Sequence, residues 1–545
     1  MKSSLLLAAL FFVSTVAGAA ENVKVDVCVY GATSAGVITA AAVAKEGKTV
    51  ILIEQGRHLG GLTSGGLGKT DFGNKAVIGG MARDFYKRLG KHYGVNEVWT
   101  FEPSVAENAF KQIVAENKIR VLFDHRLASV EKQGAHITKI VLDHAPADAY
   151  NAPGPVTEAG AVTVEAQVFI DCGYEGDLMA RAGVKYTVGR ESVAQYGEPL
   201  NGIRAKTPKH QFLVKVDPYN KPGDAESGLL PLVQDGNGGK PGDGDKSVQA
   251  YNFRICLTNV KSDQQPFTPP PGYDTKTYEL FARLVEATAQ QKGGKISPSN
   301  FLKIDMMQGG HKTDINNQGA VSTDYIGMSY DYPDADYATR ARIWHAHRDY
   351  TQGLFYFIAT NPRLPETLRT QMNKWGLAND EFQDTQGWPH QMYVREARRM
   401  IGRHVVIQAD CEHKVVAQDS IGMGAYNMDS HNCQRFVKDG SAINEGDVQV
   451  GPKGPYPVGY ASITPREEEC DNLIVPVCLS ASHIAYGSIR MEPVFMAIGE
   501  SSAYAACMAV DGKTSVQKID YPKLRAKLLA AGQVLEYKAP AGKKK

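Results

Sequence analysis

The pattern of apolar and polar positions divides the chain early. Behind Lys2 an apolar run extends from Leu5 to Val13 and gives way to the small residues Ala17-Gly18-Ala19. That layout predicts a cleavable export signal over residues 1–19, too short to span a bilayer comfortably. VDVCVY (25–30) is a short β-branched run that predicts a strand, and the alanine-rich stretch Ala35 to Lys45 predicts a helix. TVILIE (49–54) predicts a second strand ending in an acid. AQVFID (166–171) and NLIVPV (472–477) read as further buried strands, and a long helix is expected from Glu492-Pro493, where proline suits the first turn. Residues 217–247 and 261–273 are rich in Gly, Pro and Asp and predict loops. Residues 275–400 carry helical patterns, and helical spacing in YVREARR would put Arg395 and Arg398 on one face.

Strand, glycine turn, helix, strand and acid within about thirty residues make a βαβ unit of the dinucleotide-binding kind. The turn is GATSAG (31–36). Gly31 permits the bend after the strand, and Gly36 lets the helix pack close to the sheet. Thr33 stands where a second glycine is usual; it narrows the approach, and its hydroxyl could donate to a phosphate. Ser34 and Ala35 open the helix, whose free amides and partial positive charge suit a diphosphate. Glu54, 23 residues after Gly31, is placed to accept from ribose hydroxyls. The fold class expected is α/β: a Rossmann-like cofactor domain with a parallel sheet, plus an inserted α+β substrate lobe. Residues 22–195 and 445–512 would form the cofactor domain and 196–444 the insertion. Residues 513–545 would be a C-terminal helix and basic tail.

At 545 residues the chain has room for two or three lobes around a large cofactor. Its 60 basic and 59 acidic residues leave a formal charge of +1, so no global field would attract nucleic acid or anionic lipid. After the N-terminal run no segment reads as transmembrane. The eight cysteines are scattered without a C-x-x-C pair, which argues against a metal cage. Cys28 reads as a buried small hydrophobe. In an oxidising compartment Cys470/Cys478 and Cys411/Cys433 are the nearest disulfide candidates.

Beyond the ribose acid, RHLGGLTSGGLGKTDFG (57–73) resembles the E-x(n)-G-G-x-[ST] extension of the FAD-dependent oxidoreductases of the glutathione-reductase type. FIDCGYEGDLMARAGVKYTVGRE (169–191) resembles the ATG-type strand of that fold, and residues 472–506 resemble its closing segment, which points a helix at the isoalloxazine ring. KTDINN (312–317), STDYIG (322–327), WPHQMYVREARRMIG (388–402), NMDSHNCQR (427–435) and SHIAYGSIRMEP (482–493) resemble a narrower bacterial FAD-dependent oxidoreductase family, sometimes labelled xanthan lyase. The resemblance implies FAD as cofactor. With the turn residues and Glu54 it implies contacts from Gln55, His58, Gly60, Gly61, Leu62, Thr63, Gly173, Asp177, Ser488 and Met491. The neighbours of His58 do not match a covalent flavin-attachment motif. No second nucleotide-binding unit is visible, so the electrons are expected to pass to oxygen, a quinone or a small redox protein.

Oxidation of a hydroxyl or amine carbon by a flavin needs a base for the departing proton and positive charge near the reduced ring. By resemblance to fumarate-reductase-like relatives, His483 is the expected base or substrate donor and Arg490 the cationic clamp. Alternatively, Arg490 pairs with Glu492 and His483 caps a helix. His431 lies among Asp429, Ser430 and Asn432, any of which could orient its imidazole. Arg395 could bind a substrate carboxylate or hydroxyls, and Asp314 and Asn316 resemble sugar-binding groups. Middle-lobe aromatics such as Trp344 and Trp388 would suit stacking on sugar rings. The function expected is an exported FAD oxidoreductase acting on a small polar substrate, a sugar or sugar derivative. The alternatives are flavin-assisted glycosidic cleavage through a keto intermediate and a glycan-binding protein with an inert flavin.

Overall fold

The structure is a computed structural model that describes residues 21–538. The expected export signal and the end of the basic tail lie outside the described residues.

The first βαβ unit forms as the pattern predicts. Strand β1 (Glu21–Tyr30) leads through the glycine turn into helix α1 (Ser34–Lys45) and back into β2 (Val50–Ile53), which runs parallel to β1. The last four residues of β1 and the first ten of α1 are all buried. A strand covered on both faces and a helix of small residues are what such a central position demands. Strands β3 (Arg120–Leu122), β4 (His125–Gln133), β5 (His136–His144) and β6 (Val162–Asp171) complete the sheet in the order β3-β2-β1-β6-β5-β4. β1, β2, β3 and β6 are mutually parallel, whereas β4 and β5 form an antiparallel meander on β6. Of the strand expected over 472–477 only Leu473–Ile474 pairs, parallel to the C-terminal end of β6. Helices α2 (Gly80–His92) and α3 (Pro103–Glu116) pack on one another, and α3 also meets α1.

A second sheet lies in the middle of the chain. In spatial order it contains Gln264–Gln265, Gly376–Ala378, Ile255–Thr258, Lys312–Asn317 and Leu302–Met306, all antiparallel. KTDINN is one of its central strands, with all six residues buried. Helix α4 (Tyr337–Thr360) covers 24 residues and is capped by Asp336, whose side chain accepts from the Thr339 amide. The loop expected over 217–247 contains a hairpin, Tyr219–Lys221 with Asp224–Leu229.

YVREARR departs furthest from expectation. It is not helical: residues 393–398 run as irregular buried chain, and Arg399–Met400 pairs with Tyr186–Thr187. Apart from the local Arg399–Glu396 pair, its arginines are tied to carboxylates and carbonyls far away in sequence, which helical spacing could not supply. All eight cysteines are buried free thiols, so neither expected disulfide forms. Cys478 directs its sulfur at the carbonyls of Gly173 and Tyr174, whereas Cys470 turns towards Asn472.

The C-terminal part closes the first sheet. Short helix α5 (His483–Ile489) is followed directly by α6 (Glu492–Gly512), which packs along α1 and α2. Among the described helices, α6 alone is long and apolar enough to cross a membrane, but it is buried in the interior. The helix expected after residue 513 is Tyr521–Ala530.

Candidate active site

The turn after β1 builds one wall of a narrow crevice. Gly31 has φ +92°, and a Cβ there would lie 2.7 Å from the Gly173 nitrogen. A Cβ at Gly36 would lie 1.9 Å from the Gly31 carbonyl oxygen. Glycine is therefore required twice, once for the backbone bend and once for contact between helix and turn. Thr33 is the N-cap of α1: its hydroxyl accepts from the Gly36 amide and donates to the Cys172 carbonyl at 2.9 Å. That proton is committed to the protein, so the expected donation to a phosphate is not available. The amides of Ser34 and Ala35 have no acceptor among the described residues. Glu54 accepts from the amides of Ala32 and Gly56, both at 2.8 Å, and burial raises its carboxyl to about 7 despite those bonds.

Of the expected cofactor residues, Gly31, Thr33, Glu54, Gln55, His58, Gly61 and Gly173 line this crevice together. Asn151, Tyr174 and His390 join them without having been anticipated. The His58 imidazole stacks flat on that of His390, centroids 3.8 Å apart, and its Nδ1 meets Glu107 at 3.0 Å. Gly60 bonds its amide to the Ala32 carbonyl and so holds the second glycine cluster against the first.

One acid ties together the segments behind the crevice. The Glu492 carboxylate, at the start of α6, accepts from the hydroxyls of Ser34, Thr63 and Tyr174. The Tyr174 oxygen accepts in turn from the Leu62 amide at 2.9 Å. Four separated segments thus meet at one buried carboxyl, whose burial raises its pKa. The expected alternative pairing of Arg490 with Glu492 does not occur. Met491 is the N-cap of α6, and Ser488 donates to the Tyr426 carbonyl at 2.6 Å. Asp177 stands elsewhere. It is buried against Arg340 and Arg398, which hold it at about 2 against the cost of burial, and it fastens α4 and the YVREARR segment to the chain after β6. It does not line the crevice.

Two residues before Glu492, the buried Arg490 stands behind a second opening, bonded to Tyr393 and Asp429 of its lining. This is a cavity of about 370 Å³ whose lining includes Tyr393, Arg395, His431, His210, Asn316 and Asp429. His431 Nδ1 lies 2.5 Å from Asp324 Oδ2. Asp324 Oδ1 accepts from Arg395 Nη2 at 3.0 Å, and Arg395 also donates to the Ala250 carbonyl. On the other side Asp429 Oδ2 stands 4.0 Å from His431 Nε2 and accepts from Arg490 Nη2 at 3.0 Å. The order Arg490, Asp429, His431, Asp324, Arg395 alternates charge around one imidazole. Burial, together with the Arg395 charge, lowers the pKa of His431, while Arg395 and His431 hold Asp324 well below the carboxylate range against its burial. The result is a neutral imidazole whose tautomer a carboxylate fixes at Nδ1, leaving the Nε2 lone pair as a base.

The orienting acid therefore comes from STDYIG, 107 positions upstream of His431, and not from Asp429, Ser430 or Asn432 beside it. Nothing in the local pattern marks Asp324, since only the folded chain brings the two blocks together. Asp314 is likewise consumed by Arg254, which grips both its oxygens, while Asn316 does reach the cavity.

His483 is not brought to the cavity. It is 2% exposed, its Nδ1 lies 2.8 Å from Glu396 Oε2, and its backbone amide donates to Glu191. Arg399 pairs with both of those acids. Burial and the Arg399 charge drive the imidazole down to about 3. Gln249 donates to Glu396 and accepts from the His431 amide, so it separates His483 from the cavity wall. The expectation of a base at His483 is corrected on this geometry: the ring is a plug in an ion cluster.

A glycine turn leading into α1, with an acid directly after β2, is the arrangement of a dinucleotide-binding fold. The family is shown directly: residues 26–528 match the family described as FAD dependent oxidoreductase, and the chain belongs to it. Its cofactor is FAD, which the free α1 amides, the glycine cradle and Glu54 fit. No curated protein matches the chain. Among solved structures it is similar to OxyS anhydrotetracycline hydroxylase from Streptomyces rimosus, at 13% identity and TM-score 0.23 over 36% of this chain and 37% of that one. It is also similar to THI4 from Thermovibrio ammonificans, at 16% identity and TM-score 0.23 over 31% and 66%. A third is p-nitrophenol 4-monooxygenase PnpA from Pseudomonas putida DLL-E4, at 13% identity and TM-score 0.23 over 32% and 46%. The alignment with the first of these spans little more than a third of its length.

Proposed function

We propose that this FAD-dependent oxidoreductase is exported and oxidises a hydroxyl-bearing or amine-bearing carbon of a small polar substrate, a sugar or sugar derivative. FAD, when bound, supplies the two-electron acceptor. His431 takes the proton from the substrate heteroatom at Nε2, and Asp324 holds the imidazolium that results. Arg490, fixed by Asp429, places positive charge between the cofactor crevice and the cavity. Arg395 and Asn316 hold the substrate. The Asp324–His431 pair, opening on the cavity beside the start of α6, carries this reading. A lining rich in amides, with Asn317, Gln318 and Gln449 beside Asn316, supports a polyhydroxylated substrate. The apolar run behind Lys2 supports export, and the return of Leu473–Ile474 and α6 to the first sheet supports a cofactor lobe built from both ends of the chain with residues 196–444 inserted.

Anaerobic addition of sugars, sugar acids and amines to the yellow holoprotein tests it. Bleaching of the flavin absorbance by one of them is expected; a full panel without reduction counts against the function. A second reading, glycosidic cleavage through a transient ketone, draws on the Asp429 carboxylate 4.0 Å from His431 Nε2, which would hold the imidazolium while it returns a proton to the departing oxygen. It predicts cleaved product with no net consumption of an electron acceptor.

A further inference from the structure

The cavity holds a hydroxyl that the reading above leaves idle. The Tyr393 oxygen accepts from Arg490 Nη1 at 2.8 Å. A phenol has one proton to give and can accept at its lone pairs. The arginine takes up the acceptor role, and the phenol's own proton meets no acceptor among the described residues. Tyr393 lines the same cavity as His431. The ring cannot swing away. The Arg395 guanidinium lies 4.2 Å from its centroid, with Arg490 and Arg254 at 5.7 and 5.8 Å. The backbone is held too, since the Tyr393 amide donates to the Asn252 carbonyl at 2.8 Å. A donor fixed in place, unspent within the protein and backed by positive charge is the equipment for stabilising an oxygen that gains negative charge.

We propose that Tyr393 is a catalytic residue whose hydroxyl donates a hydrogen bond to the substrate oxygen as that oxygen becomes a carbonyl. The inference rests on the cavity being the substrate site. In the balanced step, the carbon loses hydrogen with its electron pair to the oxidised flavin, the family's two-electron acceptor. The O–H proton passes to His431 Nε2, and the C–O single bond becomes C=O. Tyr393 keeps its own proton throughout and is neither oxidised nor deprotonated. His431 and Tyr393 therefore act on one oxygen, the first as base and the second as donor.

The test uses the flavin-loaded protein and 4-nitrophenolate as an oxyanion probe, with Tyr393→Phe compared against wild type by calorimetric titration. The phenylalanine variant keeps the ring and its guanidinium contacts, and an unchanged melting temperature confirms that it folds. A dissociation constant raised about tenfold supports the proposal, and with any substrate found in the reduction screen kcat should fall about 100-fold at nearly constant KM. Equal phenolate affinity in both proteins overturns it, as does the absence of saturable binding to wild type. Failure of the substrate reading looks different: phenolate affinity still drops in the variant, yet no sugar, sugar acid or amine reduces the flavin.

Discussion

His483→Asn separates the plug from the base. The native imidazole sits near 3, against 6.5 for an unperturbed histidine, so at intermediate pH the unfolded chain binds a proton that the native state refuses. Stability from this group is therefore complete above 6.5 and declines as pH falls from there towards 3. At pH 5 the window already crossed is about 1.5 pH units, which at about 1.4 kcal/mol each amounts to roughly 2 kcal/mol. Asparagine cannot titrate, and its amide reproduces the Nδ1 donor to Glu396. The cost of the substitution, whatever it is at pH 7.5, should shrink by roughly 2 kcal/mol at pH 5. Other buried histidines, among them His210 and His347 near 4, titrate equally in both proteins and cancel. The assay is urea unfolding of the flavin-saturated proteins, followed by tryptophan fluorescence and circular dichroism, with coincident transitions required at each pH. A cost independent of pH would mean that His483 protonates freely in the native state, and the case for burying it away from the chemistry would fail.

Asp324→Asn should slow flavin reduction by the identified substrate on the order of 10³-fold, since the tautomer of His431 is no longer imposed; rapid-mixing absorbance measures it. In wild type, activity should fall on the acid side with a midpoint below about 6.5, because the pKa of His431 is lowered; a midpoint above that value contradicts the neutral base. Gly36→Val should yield colourless protein, as its side chain would meet the Gly31 carbonyl, and FAD release measured by fluorescence decides it. Glu492→Ala strips three buried hydroxyls of their acceptor and should cost on the order of 3 kcal/mol of stability together with FAD affinity, read by chemical unfolding and fluorescence titration. Alkylation of unfolded, unreduced protein should label all eight cysteines by mass spectrometry, and six or fewer would indicate an intramolecular disulfide.

The βαβ unit was legible because its signals are local. A β-branched run, two spaced glycines and an alanine-rich stretch specify strand, turn and helix without reference to the rest of the chain. The α6 helix was legible for the same reason, with Pro493 in its first turn. The YVREARR segment was not: its spacing fits a helix, and partners such as Asp324, Glu175 and Asp177 hold it in an irregular path. His483 and His431 look alike in sequence, each a histidine in a small polar stretch. What separates them is the distant company they keep, Glu396 and Arg399 for one, Asp324 and an open cavity for the other. Composition is equally blind to Glu492, whose three hydroxyl partners come from segments more than 300 positions away.

That carboxyl has a consequence for biosynthesis. Ser34, in the glycine turn, leaves the ribosome 458 residues ahead of Glu492, the acid that ties it to Thr63 and Tyr174. A nascent chain lacking residue 492 presents an open half-groove with Ser34, Thr63 and Tyr174 unanchored. A product stopped before residue 492 carries the entire glycine fingerprint without the acid that joins its segments.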